Sequence, residues 1–299
     1  MKSEEPPCLS KLLKHTNSMN SKWNLKPIPG ESEGIKISFT ESISEQIKRL
    51  SSKGILKAGE MVRIKLSGDG TNIGKRLSVI NITYTILNEK NLAMSEKGNY
   101  LLAVIREKES YKTLSRSLSD LIKEMGQLKE IFVDGNIHVY HLEYFLGGDW
   151  KFLACVCGIG AANAEYACIW CICPKLKRYY TSKSWSVLDP EFGARTLDEI
   201  KKCAKGKKFN CIHVPLFPFI PLSHVIIDTL HLYLRICDNL IQLFIRELKI
   251  GDSIHQKKTY SDNFSRDKYK HMAGYERYLQ SLGIPFHWYI SKETKQLEY

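Results

Sequence analysis

Three segments patterned as β-strands follow one another between Glu60 and Glu107, and no helical pattern interrupts them. "EMVRIKLSGD" sets Val62, Ile64 and Leu66 against Met61, Arg63 and Lys65. "RLSVINITYTIL" sets Ile80, Ile82, Tyr84 and Ile86 against Leu77, Val79, Asn81, Thr83 and Thr85. "NYLLAVIRE" is a short continuous apolar run, the pattern of a buried strand. Side chains alternate across a strand, so such a run commits this part of the chain to a sheet with at least one covered face. "SYKTLSRSLSDLIKEMGQL" then puts Leu114, Leu118, Leu121, Ile122 and Met125 on one helical face. "KEIFVDGNIHVYHLEYFLGGD" reads as a strand pair turning at Asp134-Gly135 and ending at Asp149. Upstream, Ile43, Ile47 and Leu50 predict a helix over 40–57 with Gly54 as its stop. Downstream, "WKFLACVCGIGAANAEYACIW" predicts a buried helix broken by glycine near residue 160.

Three strands, a helix, further strand and a helix predict an α/β fold. The order suits a mixed sheet core of the ribonuclease-H kind, although several α/β folds begin this way. Four regions are expected. Residues 1–35, with Pro6, Pro7, Pro27 and Pro29, form an irregular arm; 36–167 the α/β core; 168–222 a cysteine-rich, basic insertion; and 223–299 a helical region. In the last, "LSHVIIDTLHLYLRICDNLIQLFIRELK" predicts one long helix and "KYKHMAGYERYLQSL" another.

The 299 residues include 44 Lys and Arg against 32 Asp and Glu, a net charge of +12, which favours a polyanionic partner such as nucleic acid. The first residues lack the apolar core of a secretory signal, and no apolar run reaches the length of a membrane span. The nine cysteines are therefore expected in a reducing compartment. Seven of them fall between Cys155 and Cys211, and that clustering points to metal binding.

Asp69 and Asp149 each follow glycine at the end of an apolar segment, in "SGDG" and "GGDW". As loop residues they are ordinary turn aspartates. As carboxylates converging at strand ends they would hold divalent cations, Mg²⁺ or Mn²⁺, for phosphodiester chemistry. Cys168 and Cys171 form a C-x₂-C half of a tetrahedral Zn²⁺ site, with Cys211 and His213 as candidates for the other half and Cys173 or Cys203 as substitutes. Buried cysteines acting as small apolar residues are the alternative. His224, Asp228 and His231 recur at helical spacing and suit either a polar stripe or a metal-binding face. Lys175, Lys177 and Arg178 stand beside Tyr179 and Tyr180, and Lys201, Lys202, Lys205, Lys207 and Lys208 crowd one short stretch. Both groups suit phosphates, and the tyrosines suit unpaired bases.

The order "GDGTN", "RLSVINITYTIL", "GGDWKFLACVCG", "CIWC" and "IDTLHLYL" resembles the catalytic core of the V(D)J recombinase and Transib-type DDE transposase family, over about residues 60–290. The resemblance implies an RNase H-like core, a zinc-knuckle insertion and a helical C-terminal region. It implies Asp69 and Asp149 as the first two metal-binding acids and Cys168 and Cys171 as half of the zinc site, and it matches Ile227, Asp228, Leu230 and His231 to a family helix. DNA is the implied partner, a homodimer the implied assembly and the nucleus the implied compartment. The family's third acid, a glutamate, and its two zinc-binding histidines lie downstream of the matched motifs. Glu247 and Glu298 have no motif context for that role. The expectation is a truncated, transposase-derived DNA-binding protein without activity in this form. The rival is a non-catalytic, zinc-stabilised nucleic-acid-binding or interaction protein; a nuclease using Asp228 as third ligand is a further alternative.

Overall fold

The computed structural model describes residues 24–74, 77–133, 138–179, 193–247 and 266–281, with short pieces elsewhere. The predicted Asp134-Gly135 turn and Tyr180 lie outside the described residues. The chain divides into two compact units, Met1–Asp228 and Thr229–Tyr299.

The first unit is a mixed α/β structure around a seven-stranded sheet. Its strands are β1 (Lys26–Pro27), β2 (Glu33–Lys36), β3 (Met61–Ile73), β4 (Leu77–Ile86), β5 (Tyr100–Arg106), β6 (Glu130–Val133) and β7 (His138–Gly148), in the order β1-β2-β5-β4-β3-β7-β6. β3, β4 and β5 form the expected antiparallel meander. β7 returns parallel to β3, and the connection carries helices α2 (Tyr111–Ser117) and α3 (Ser119–Gln127). β3, β5 and β7 therefore all run the same way, and their carboxyl ends lie on one edge of the sheet.

The alternation predicted for β3 is realised: Val62, Ile64 and Leu66 are fully buried, as are Ile80, Ile82, Tyr84 and Ile86 of β4. Helix α1 (Phe39–Ser52) covers this face. Ser38 caps it, accepting a hydrogen bond from the Glu41 amide, and Phe39, Ile43, Ile47 and Leu50 point into the core. Phe39 meets Tyr84 edge-on at 5.5 Å, and the Tyr84 hydroxyl pairs with Ser42 at 2.8 Å. The helix ends at Ser52 and Gly54 follows with φ +67°, as the predicted stop requires.

Three expectations are corrected. The supposedly irregular arm contributes β1 and β2 to the sheet edge. With two and four residues and no buried alternation, these strands leave no periodic signal. The helix expected after Asp149 is only α4 (Trp150–Val156). It stops before Gly158, whose φ is +76° and where a Cβ would lie 2.1 Å from the His213 carbonyl oxygen. The long helix expected over 222–249 starts later. Residues Leu222–His224 form a short 3₁₀ turn, and the second unit's first helix, α6, spans Thr229–Glu247. The extended Val225 follows the turn and keeps it apart from α6. The second unit also contains α7 (Arg266–Ser281), where a helix was expected.

Among the described residues of the 168–222 stretch the α-helix is α5 (Leu197–Lys205), started by a complete Thr196/Glu199 capping box. The remainder of its described part is loop and single-turn structure.

Candidate functional site

Asp69 belongs neither to a turn nor to the end of its strand: β3 continues through it, pairing with β4 as far as Ile73↔Leu77. Its special position comes from the other neighbour. The parallel pairing of β3 with β7 runs from Met61↔His141 to Gly68↔Gly148 and stops there. Asp69 is the first β3 residue beyond that ladder, and Asp149 is the first residue after β7. Adjacent strands lie about 4.8 Å apart, so the two aspartates leave neighbouring strands at the same level. Asp149 also caps α4, its Oδ1 accepting the Phe152 amide at 2.7 Å.

The glycines around Asp69 exist for close approach. A Cβ on Gly68 would sit 2.1 Å from the Phe152 ring, and one on Gly70 would sit 2.6 Å from Glu109 Oε2. The alternation along β3 puts Gly68 and Gly70 on the face that Phe152 and Glu109 cover, and Asp69 on the opposite face beside Asn81.

Glu109 is the residue that sequence reading missed. It lies three residues beyond the end of β5, so Asp69, Glu109 and Asp149 come from the carboxyl-end side of the three strands that run together. That shared strand direction is the signal that could have found it. The Glu109 side chain is 3% exposed. Its Oε2 accepts from Lys151 Nζ at 3.3 Å, while its Oε1 is buried without a hydrogen-bond partner. Burial pushes its carboxyl above the usual glutamate range; Lys151 opposes that shift, and the charges of Asp149 and Asp69 add to it. Other enclosed glutamates are provided for. Glu89 takes Arg49 Nη2 and the Tyr100 hydroxyl, each at 2.6 Å. Glu124 takes Ser38 Oγ at 2.7 Å and the Thr40 amide at 2.8 Å.

A cleft of ≈ 410 Å³ is lined by Trp150 and Lys151, which follow Asp149 in the chain, and by Cys155, Tyr111 and His213 among others. Tyr111 and His213 stack at 3.9 Å, nearly parallel, and the Tyr111 hydroxyl donates to the Val214 carbonyl at 2.8 Å. The cleft wall also holds Trp150, whose indole N–H is buried without a partner.

The cysteines are organised around Arg195, a side chain the sequence reading did not single out. Arg195 is 7% exposed and makes five hydrogen bonds. Nε donates to the carbonyls of Cys168 (3.0 Å) and Cys171 (3.1 Å), Nη2 to those of Tyr166 (3.0 Å) and Phe209 (2.8 Å), and Nη1 to Cys211 Sγ (3.0 Å). Cys168 and Cys171 are close enough for their thiols to hydrogen-bond. That bond holds Cys168 below the ordinary thiol range and pushes Cys171 above it. Cys211 is raised by burial, with Arg195 pulling the other way. His213 is not gathered with these sulfurs: its ring lies against Tyr111. His224 sits in its 3₁₀ turn, with Nδ1 at 2.9 Å from the Tyr144 carbonyl oxygen and its ring stacked on Phe145 at 4.4 Å. It is therefore not on one helical face with Asp228 and His231, because α6 begins only at Thr229.

Of the basic residues, Lys175, Lys177, Lys202, Lys205, Lys207 and Lys208 are exposed. Arg178 is exposed too, but donates to the carbonyls of Ala164 at 3.1 Å and Glu165 at 2.9 Å. Lys201 is half-buried and pairs with Asp198 at 3.2 Å. Among the described residues, no three His, Cys, Asp or Glu side chains are already gathered closely enough to hold a metal ion, and no helix is long and apolar enough to cross a membrane. No protein-family model matches the chain, and no curated protein matches it.

Proposed function

We propose that this chain is a transposase-derived, DNA-binding core of the DDE type, built for phosphodiester chemistry at Asp69 and Asp149. One observation carries the reading: the parallel β3–β7 ladder ends at Gly68↔Gly148, so two Gly-Asp steps far apart in sequence leave that ladder side by side. The order β5-β4-β3-β7, with helices between β5 and β7, supports an RNase H-like core. Two carboxylates on adjacent strands repel each other unless a cation lies between them, and hard divalent cations prefer oxygen donors. Asp69 and Asp149 would hold Mg²⁺ or Mn²⁺, which when bound activates the attacking oxygen and neutralises the leaving one.

The chain's own residues shape the rest. The Asp149 backbone is fixed by the α4 cap, and Phe152, seated on Gly68, keeps α4 pressed against β3. The cleft with Trp150, Tyr111 and His213 offers ring faces on which an unstacked base can rest, and Lys151 at its mouth suits a phosphate. The exposed lysines of the 175–177 and 202–208 stretches would contact the duplex backbone. A nuclear location and a homodimer accompany the reading. Cys168 and Cys171 retain the spacing of half a zinc site. Cys211 and His213 do not fit as its other half, because Arg195 engages Cys211 and Tyr111 stacks on His213.

The test is nicking of supercoiled plasmid in Mn²⁺. With two of the family's three acids, the wild type is expected to nick slowly at most, and Asp69→Ala and Asp149→Ala are each expected to abolish that nicking with the fold retained by circular dichroism. Equal nicking by both variants overturns the reading.

A further inference from the structure

We infer that the β3–β4 ribbon beyond Gly68 reads duplex DNA by entering its major groove, with Lys108 and Lys112 holding phosphates at its root. The inference rests on the DNA-binding reading and deepens it, by naming the element that meets the bases.

β3 and β4 outrun the sheet that carries them. The ladder of β3 with β7 stops at Gly68↔Gly148, and that of β4 with β5 reaches only Ile80↔Ile105. The β3–β4 pairing itself continues to Ile73↔Leu77. Past those levels the two strands have, among the described residues, only each other as ladder partners. Every residue from Asp69 to Gly74 is exposed, Ile73 to 58%, and a Cβ on Gly74 would meet nothing within 4 Å. A two-stranded ribbon without a covered face is marginal by itself, so a projection of this kind gains order from whatever it enters.

Its dimensions and chemistry fit a DNA groove. At about 3.4 Å per residue, Asp69 to Ile73 reach about 17 Å, beyond the roughly 8.5 Å depth of the major groove. Two strands about 4.8 Å apart fit a groove about 12 Å wide, which admits a β-ribbon. The Ser78 hydroxyl donates to Asn72 Oδ1 at 2.9 Å, which orients the amide and leaves its two N–H donors for an acceptor on a base edge. Ile73 offers apolar surface to a thymine methyl. The loop after β5 crosses the ribbon's root, because Glu109 lies against Gly70. Lys108 in that loop and Lys112 at the start of α2 are exposed, and cations so placed suit the phosphates that flank the groove. In chain order Lys75 and Arg76 join the two strands, and such charge favours a polyanion over strand addition by a second copy.

The experiment follows binding of the full chain to a short fluorescein-labelled duplex by anisotropy. Thr71→Glu combined with Ile73→Glu is expected to weaken binding at least about tenfold, the scale of one lost base contact, with melting unchanged because both side chains are exposed. Lys108→Ala and Lys112→Ala are each expected to flatten the slope of log affinity against log salt by about 0.9. A second measurement needs no weakened variant. Benzoylphenylalanine placed at Ile73 is expected to photo-crosslink to the duplex. Placed at Met94, 88% exposed in the β4–β5 connection at the opposite edge of the sheet, it is expected not to. Unchanged affinity in the double variant, or crosslinking as strong from position 94 as from position 73, overturns the inference and leaves the DNA-binding reading standing. No duplex binding by the wild type overturns both. A shift in the sedimentation of the DNA-free chain caused by the double variant overturns the groove assignment in favour of pairing between copies.

Discussion

Two charged clusters sit in the first unit, and the fold treats them in opposite ways. Around Arg195 a buried cation is surrounded by five acceptors, and every bond runs from one guanidinium to loops that share no regular element. Around Glu109 a buried anion is left with one oxygen unpaired and two further carboxylates acting on it. The first cluster is closed: its cation is covalently part of the chain, and it cross-links the Cys168–Cys171 loop to the 209–211 segment. The second is open and, among the described residues, is served by an exposed lysine. A closed cluster of this kind is architecture. An open one sits at a cost the fold could have avoided with a glutamine, and such costs concentrate where a ligand supplies what is lacking.

The sharpest way to break the contrast is to remove the closed cation. Arg195→Met is expected to lower stability by about 3–5 kcal/mol, because the loop carbonyls of Tyr166, Cys168, Cys171 and Phe209 lose their shared donor inside the protein. Arg195→Lys should recover less than half of that, since one ammonium cannot span the fork. Urea midpoints of the three proteins check this. A loss below about 1 kcal/mol, the scale of an exposed pair, would mean that the cysteine loops do not rely on Arg195.

Next in size is Gly68→Ala. Its added Cβ would lie 2.1 Å from an aromatic ring that is fully buried in the core, so Phe152 and α4 must shift. A destabilisation of about 1–3 kcal/mol is expected, read as a fall in melting temperature. Because α4 carries the Asp149 cap, the same variant should also weaken Mn²⁺ binding. Gly70→Ala meets the Glu109 side chain, Oε2 at 2.6 Å and Cβ at 3.0 Å, rather than a ring in the core, so its effect on melting should be smaller while its effect on Mn²⁺ remains. Equal melting shifts in the two variants would erase the distinction between core and site on this strand.

The sheet was legible because its strands are long enough to alternate: Ile64 and Leu66 lie opposite Ile86 and Tyr84, and Val62 and Ile82 are buried with them as their spacing demands. Helix α1 was legible through Ile43, Ile47, Leu50 and the Gly54 stop. β1 and β2 were not, because two to four residues carry no period. Asp69 and Asp149 were legible as a pair, but the reason for the "GDG" pattern was not. A turn and a close approach both select glycine, and only Phe152 and Glu109 lying against the strand tell them apart. Glu109 was hidden in "REKES", where a buried carboxylate looks like any solvated charge. Arg195 was hidden likewise, since its partners are mostly backbone carbonyls that leave no mark in the sequence. The cysteine clustering was real, and the residue that organises it was not among the cysteines.

The smallest effect concerns pH and separates the clusters most cleanly. Glu109 has its carboxyl raised above the ordinary value of 4.5, first by burial and then by Asp149 and Asp69, with Lys151 in opposition. A raised value means that the folded chain binds this proton more tightly than the unfolded one. Its contribution to stability is therefore fully present below the unfolded value and is lost as pH rises through the folded one. In chelator, melting temperature should fall on going from about pH 5 to pH 7. Glu109→Gln should flatten that slope and be more stable than wild type at pH 7, by about 1 kcal/mol for each unit of separation removed. Arg195→Lys, which leaves Glu109 untouched, should leave the profile parallel to wild type. A Glu109→Gln profile that also runs parallel would place the carboxylate in a well-solvated setting, and the open cluster would then be no different from any surface pair.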